Sequence, residues 1–111
     1  MFSERDKFDF YCEEVLTGHT PVEKIYESEN VLAFYHTKPS YERHIVIVPK
    51  QHIKDLTSIG EEDQDLILEI IFVASRLAAN MDMSKGIRFM TNMGTLQDTP
   101  HLHFHLVQGE K

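Results

Sequence analysis

The run His101-Leu102-His103-Phe104-His105-Leu106-Val107 alternates imidazole and apolar side chains until its last residue. On a β-strand, successive side chains leave opposite faces, so the three imidazoles share one face and Leu102, Phe104 and Leu106 share the other. Such a segment demands a sheet with one packed side, and it predicts imidazoles open to a ligand on the other. At ~3.3 Å of rise per residue, neighbouring histidines lie ~6.6 Å apart and the outer pair ~13 Å apart. That spacing suits one central actor with two flanking helpers. A neutral imidazole is both a nucleophile and a base, and its cation donates a hydrogen bond to a phosphate oxygen.

The remaining pattern supplies the rest of that sheet. Val22 to Glu27 and Val31 to Tyr35 read as two strands, with Ser28, Glu29 and Asn30 as turn residues between them. Thr37 to Glu42 is a loop, and His44 to Val48 is a buried strand ended by Pro49. The one long helix is predicted from about Glu61 to Met81. Ser58 and Glu61 offer a capping box, and Leu66, Ile67, Ile70, Ile71, Val73, Ala74, Leu77, Ala78 and Met81 form its apolar face. A short helix over Phe8 to Leu16, closed by Gly18, precedes the strands. Gly86 separates the long helix from a strand over Ile87 to Asn92, and a polar loop leads from there to Pro100. Hairpin, strand, helix and two further strands make an antiparallel sheet covered by one main helix, an α+β domain.

At 111 residues the chain has room for one core, so a single domain over residues 1–111 is expected. Its net charge of −7, with no basic run, argues against a nucleic-acid polymer as partner, because phosphate backbones are held by clustered positive charge. A small phosphate ester is compatible, since a local group of histidines and backbone N–H groups outweighs a distant net charge. The single cysteine, Cys12, excludes an intrachain disulfide and fits a reducing compartment. The N-terminal stretch lacks the apolar run of a signal peptide, and no segment reaches the ~18 apolar residues of a membrane span. A cytoplasmic protein is the expectation. Taken as isolated residues, His19, His36 and His52 are ordinary histidines, Phe34 is core, and Asn92 and Gln97 serve equally well as loop-backbone partners. Cys12 is expected to be buried and inert.

The alternating run resembles the signature of the histidine triad (HIT) superfamily, His-φ-His-φ-His-φ-φ with φ apolar. Val31-Leu-Ala-Phe34, Pro39 and His44-Ile-Val-Ile-Val-Pro49-Lys50-Gln-His52-Ile53 are similar to a second block of that family in order and spacing, and Asn92-Met-Gly94 with Gln97 resembles its phosphate loop. The resemblance implies a five-stranded antiparallel sheet, a homodimer, and binding of small nucleotides. It implies hydrolysis or transfer of a nucleoside monophosphate from phosphoramidates or (di)nucleoside polyphosphates, with no cofactor and no metal in the reaction. His103 would then be the nucleophile, forming a nucleotidyl-histidine intermediate. His101 and His105 would donate to the phosphoryl oxygens and the leaving group, and His44 would complete the cluster. Asn92, Gly94, Gln97 and Thr99 would hold the phosphate, and Phe34, His36 and Thr37 the nucleoside. Where many members carry Phe-x-Asp-Ile-x-Pro, this chain reads Phe34-Tyr35-His36-Thr37-Lys38-Pro39, and Asp98 stands where a Ser or Thr is common. Some members also bind a structural zinc through two cysteines and two histidines. Here Asp9-Phe-Tyr-Cys12 leaves one thiolate and one carboxylate.

Two other functions suit the same residues. One is a divalent-metal-binding protein, in which His101 and His103 join His44 or Asp98 around an ion. The other is a catalytically idle nucleotide sensor, suggested by His36 and Asp98.

Overall fold

The computed structural model describes residues 9–110. It contains strands β1 (Lys24–Glu27), β2 (Val31–Tyr35), β3 (Arg43–Pro49), β4 (Ile87–Met90) and β5 (Phe104–Gln108), with one long helix, α1 (Gln64–Ala79), between β3 and β4. All strand pairs are antiparallel and the sheet order is β1-β2-β3-β5-β4, an α+β fold. The Ser28-Glu29-Asn30 turn closes the β1–β2 hairpin as the sequence predicts: the Ser28 N–H donates to the Val31 carbonyl at 2.9 Å, and the Ser28 hydroxyl accepts from the backbone of Asn30 and Val31.

Strand alternation divides the core in two. Val31, Ala33, Ile45, Ile47, Phe104 and Leu106 face α1 and pack with Ile70, Val73 and Ala74. Leu32, Phe34, Val46 and Val48 face the other way and pack against Tyr11 and Val15. Phe34, Leu32, Ile45, Ile47, Ile70 and Leu106 are all less than 2% exposed. Each such side chain contributes about 1.5–3 kcal/mol of transfer free energy, so both layers stabilise the sheet.

The second layer corrects the expectation of an open histidine face. The N-terminal segment folds into a short helical turn of π type, Tyr11–Val15, and lies across it. Gly18, at φ 84°, ends that turn, and its N–H donates to the Val15 carbonyl. Phe8, the predicted start of this helix, lies outside the described residues.

Other details also differ from the expectation. Residues 101–103 lie outside β5, which pairs with β3 from Phe104 onward, and there the Leu102 N–H donates to the Ile53 carbonyl at 2.6 Å. The capping bond lies in the 3-10 turn Glu61–Asp63 that leads into α1, where the Asp63 carboxylate accepts the Gly60 N–H at 2.9 Å, instead of between Ser58 and Glu61. Ile71 is 44% exposed, so the buried stripe of α1 is narrower than the apolar periodicity suggests. Among the described residues, no helix is long and apolar enough to cross a membrane.

Candidate active site

His44 on β3 and His105 on β5 stand on the face away from α1, where the β3–β5 register pairs Val46 with His105 and His44 with Val107. His103, just before β5, adjoins them: the His103 and His105 ring centroids are 5.0 Å apart and their planes cross at 81°. His36, after β2, stacks on His44 with centroids 4.3 Å apart. Four histidines from two strands and their flanks therefore form one continuous row.

The hydrogen bonds fix the proton positions along this row, because a backbone N–H only donates and a carbonyl only accepts. The Ser40 N–H donates to His44 Nδ1 at 3.1 Å, so the His44 proton sits on Nε2. That Nε2–H donates to His105 Nδ1 at 2.8 Å, which leaves the His105 proton on its own Nε2. His103 has the opposite tautomer: its Nδ1–H donates to the His101 carbonyl at 2.7 Å, and its Nε2 keeps a lone pair. The Thr91 hydroxyl donates to the His103 carbonyl at 2.7 Å and holds this residue's backbone. His36 accepts the Lys38 N–H on Nδ1 and so carries its proton on Nε2. No buried side-chain nitrogen or oxygen among the described residues lacks a partner. A free nucleophilic nitrogen thus stands beside an N–H donor.

All four rings are held neutral. Burial, with the His103, His44 and His36 rings adding to it, lowers His105 to about 3. Burial and His36 lower His44 to about 4. Burial lowers His103 and His36 as well, although the His101 carbonyl and the Asp98 charge oppose it at His103, and the Lys38 N–H contact and Asp98 oppose it at His36. Tyr41 packs edge-on to His44.

A pH dependence follows from His44 and His105. The unfolded chain protonates these residues near pH ~6.5, whereas the folded chain resists protonation down to about 4 and about 3. Their contribution to stability is therefore complete above the unfolded value and is lost as pH falls from there toward 4. The melting temperature is expected to drop by roughly 5 °C or more between pH 7 and pH 5. The drop should shrink in a His44→Asn/His105→Asn variant, and an unchanged drop contradicts this assignment.

His101 does not join the row. It is 0% exposed, its Nε2–H donates to the Pro49 carbonyl at 2.8 Å, and its Nδ1 lies 3.2 Å from Cys12 Sγ and 3.1 Å from Asp9 Oδ2. With both nitrogens engaged inside the protein, His101 presents no ring nitrogen to the row, contrary to its expected place as a phosphate donor. What His101 gives the site is its backbone carbonyl. It also belongs to a group formed with Asp9, Cys12 and His52, whose ligating atoms all lie within 4.8 Å of one another. His52 is therefore no ordinary surface residue, and Cys12 is partly exposed instead of buried. The metal set anticipated from His101, His103 and His44 or Asp98 does not assemble, because the His101 ring nitrogens meet Pro49, Asp9 and Cys12 while the His103 Nε2 stands in the row.

The remaining candidates are distributed around the row. Gly94, at φ 65°, turns the loop before the triad, and Asn92 and Thr99 are partly exposed on that loop. The Gln97 amide is buried and donates to the Lys54 carbonyl at 2.6 Å, which ties the loop to the body of the protein. Phe34 is core, packed against Tyr11, while Thr37 is exposed beside His36. Tyr11, which sequence reasoning passes over, lies with its ring centroid 4.9 Å from that of His103. An apolar hollow lined by Ile25, Tyr26, Leu68, Phe72 and Leu77 lies on the α1 side of the sheet and contains no histidine.

Comparison with known proteins agrees with this arrangement. The HIT domain family model matches residues 17–111. An uncharacterized HIT-like protein of Helicobacter pylori is 35% identical over 102 residues, covering 89% of this chain and 95% of its own. The crystal structure of a HIT family hydrolase from Legionella pneumophila superposes with a TM-score of 0.82 at 29% identity, covering 94% of this chain and 95% of its own. A histidine triad protein from Clostridium difficile superposes with a TM-score of 0.80 at 31% identity, covering 100% of this chain and 96% of its own. With the triad, the sheet and the family match in agreement, the chain belongs to the histidine triad (HIT) domain family.

Proposed function

We propose that this protein is a hydrolase or transferase of nucleoside monophosphate groups, acting on nucleoside phosphoramidates or (di)nucleoside polyphosphates through His103. The observation that carries this reading is the pairing of opposite tautomers: the Nε2 lone pair of His103 stands next to the ring whose Nε2 bears a proton, His105. One is a nucleophile and the other a hydrogen-bond donor, a pairing suited to displacement at phosphorus. The Legionella pneumophila and Clostridium thermocellum neighbours, both named HIT family hydrolases, support the same class.

In the first step His103 Nε2 bonds to the α-phosphorus while the bond from phosphorus to the leaving oxygen or nitrogen breaks. The His105 Nε2–H donates a hydrogen bond to the departing atom, which takes its proton from solvent. In the second step water attacks the nucleotidyl-histidine, its proton passes to solvent, and the phosphorus–nitrogen bond breaks to release the monophosphate. The carbonyl of His101 steadies the charge that develops on the His103 ring by accepting its Nδ1–H. Asn92, Thr99 and the backbone at Gly94 are the assigned phosphate contacts, and His36 and Thr37 the nucleoside contacts. His36 Nε2–H and the Lys38 ammonium make that end of the site suited to an anionic group. Two copies pairing in the cytoplasm complete the reading, with the exposed Phe89 of edge strand β4 and Leu68 and Phe72 of α1 as the apolar surface for pairing.

The test is a panel of nucleoside phosphoramidates, dinucleoside polyphosphates and simple phosphate monoesters, read by chromatography. Release of a nucleoside monophosphate from one of the first two classes, with monoesters untouched, is the expected result. Tight binding with no turnover across the panel replaces this reading with the idle sensor.

A further inference from the structure

The loop that joins β4 to β5 is anchored on both sides of Asp98. The Gln97 amide donates to the Lys54 carbonyl at 2.6 Å and the Gln97 N–H to the Gly94 carbonyl at 3.0 Å, while the His101 N–H donates to the Thr99 carbonyl at 2.8 Å. Gln97 and Pro100 are buried, and Asp98 stands exposed between them. The anchors fix where its carboxylate sits. Among the described residues that carboxylate enters no hydrogen bond or ion pair. Its charge nevertheless acts on Tyr11, His103 and His36, so it belongs to the surroundings of the nucleophile.

The sheet order β1-β2-β3-β5-β4 spreads the site across the sheet. His36 and Thr37, assigned above to the nucleoside, follow β2, whereas the loop with Asp98 lies between β4 and β5 on the other side of the row. A substrate with its nucleoside at His36 and its α-phosphorus at His103 directs its leaving group toward that loop. The leaving group then meets a fixed negative charge, and the neutral imidazoles beside it supply nothing to balance it. Across a partly exposed site of this size, one further unit charge changes binding by roughly five- to tenfold after salt screening. Each further phosphate of a dinucleoside polyphosphate brings a negative charge to this position. An amine joined to the α-phosphorus brings none, and a second, protonated amine on its chain brings a positive one.

We propose that Asp98 sets substrate choice by charge, so that the site selects phosphoramidates whose amine portion carries a cationic group and disfavours polyphosphates. This selection rests on the phosphoryl-transfer reading above and narrows its two substrate classes to one.

The test compares phosphoramidates of a single nucleoside monophosphate that differ only at the end of an alkylamine arm, which carries a methyl, an ammonium or a carboxylate group. A dinucleoside polyphosphate completes the set, and kcat/KM of each compound is taken relative to the methyl compound. The parent chain is expected to favour ammonium over carboxylate by roughly 10-fold or more, and Asp98→Asn to bring that ratio below about threefold. Asp98→Lys should reverse it. In Asp98→Asn the polyphosphate should gain at least about fivefold. Raising salt from about 0.05 to about 0.5 M should compress the ratio of the parent chain and leave that of Asp98→Asn in place. Ratios in Asp98→Asn within about twofold of the parent's overturn the proposal even where every rate falls, because a merely structural role moves all the compounds alike. Dissociation constants of the same compounds on His103→Ala protein, with and without Asp98→Asn, keep the two readings apart. Turnover without a preference among the arms removes the role of Asp98 and leaves the hydrolase. An Asp98-dependent preference in binding, with no turnover by the parent chain, removes the hydrolase and leaves the selection. Neither binding nor turnover overturns both.

Discussion

His103→Ala is expected to lower kcat by roughly four to six orders of magnitude, the range for removing a nucleophile that acts together with its neighbours. The size of this effect follows from tautomer control. Nδ1–H of His103 is fixed on the His101 carbonyl, so the nucleophilic lone pair always sits on Nε2, and no other ring combines a free Nε2 lone pair with a neighbouring N–H donor. His105 and His44 carry their protons on Nε2, and His101 is 0% exposed with both nitrogens engaged. No histidine of the cluster takes over when His103 is lost. The variant should keep its fold, because His103 belongs to neither apolar cluster and its ring contacts are with Tyr11 and His105. A melting temperature near that of the parent chain, together with unchanged nucleotide binding, separates lost chemistry from lost structure. Retention of a tenth of the parent rate removes His103 from the role assigned to it.

The second large effect is expected at His105. Its Nε2–H is the hydrogen-bond donor assigned to the leaving group, and losing one such preorganised donor costs about 10²–10³ in kcat. His105→Ala should show that loss, and it should be smallest for substrates whose leaving group is already acidic and needs no proton. His44→Phe should cost less than about tenfold, because it removes only the contact that fixes the tautomer of His105. The ordering of the three variants carries more weight than any one value: His103 above His105, and His105 above His44. A His105→Ala enzyme within fivefold of the parent on every substrate, or a His44 variant worse than the His105 variant, contradicts the relay.

The fold was legible because its signals are local. The turn at Ser28 to Asn30, the apolar β3 run before Pro49 and the helical recurrence through Ile70, Val73 and Ala74 each depend on neighbours a few residues away. The second cover of the sheet was harder to read. Tyr11 and Val15 reach Leu32, Phe34, Val46 and Val48 across the chain, and a short aromatic segment with a single turn of helix has too little periodicity to announce which face it packs on.

The same physics governs the site. Alternation in residues 101–107 brought His103 and His105 to one side, and the position of His44 on the neighbouring strand placed it against His105. Alternation says nothing about what each nitrogen meets, however. His101 shares the pattern of its two partners, yet the Pro49 carbonyl and the Asp9–Cys12 turn draw its ring into the interior. His52 lacked any periodic signal of its own. The spacing of Asp9 and Cys12, three residues apart at the start of a turn, was the available clue, and it gained meaning once the fold carried His52 and His101 to the same point. Gln97 shows the reverse case, a residue in the expected loop whose amide holds the Lys54 carbonyl.

The most direct measurement is the mass of the protein itself during turnover. Mixing the enzyme with a nucleoside phosphoramidate and stopping the reaction in alkaline denaturant, which spares phosphorus–nitrogen bonds, should yield a chain heavier by one nucleoside monophosphate residue, with the added mass mapped to His103. An adduct on any other residue, or steady product release with no adduct at any time point, contradicts attack by the central imidazole.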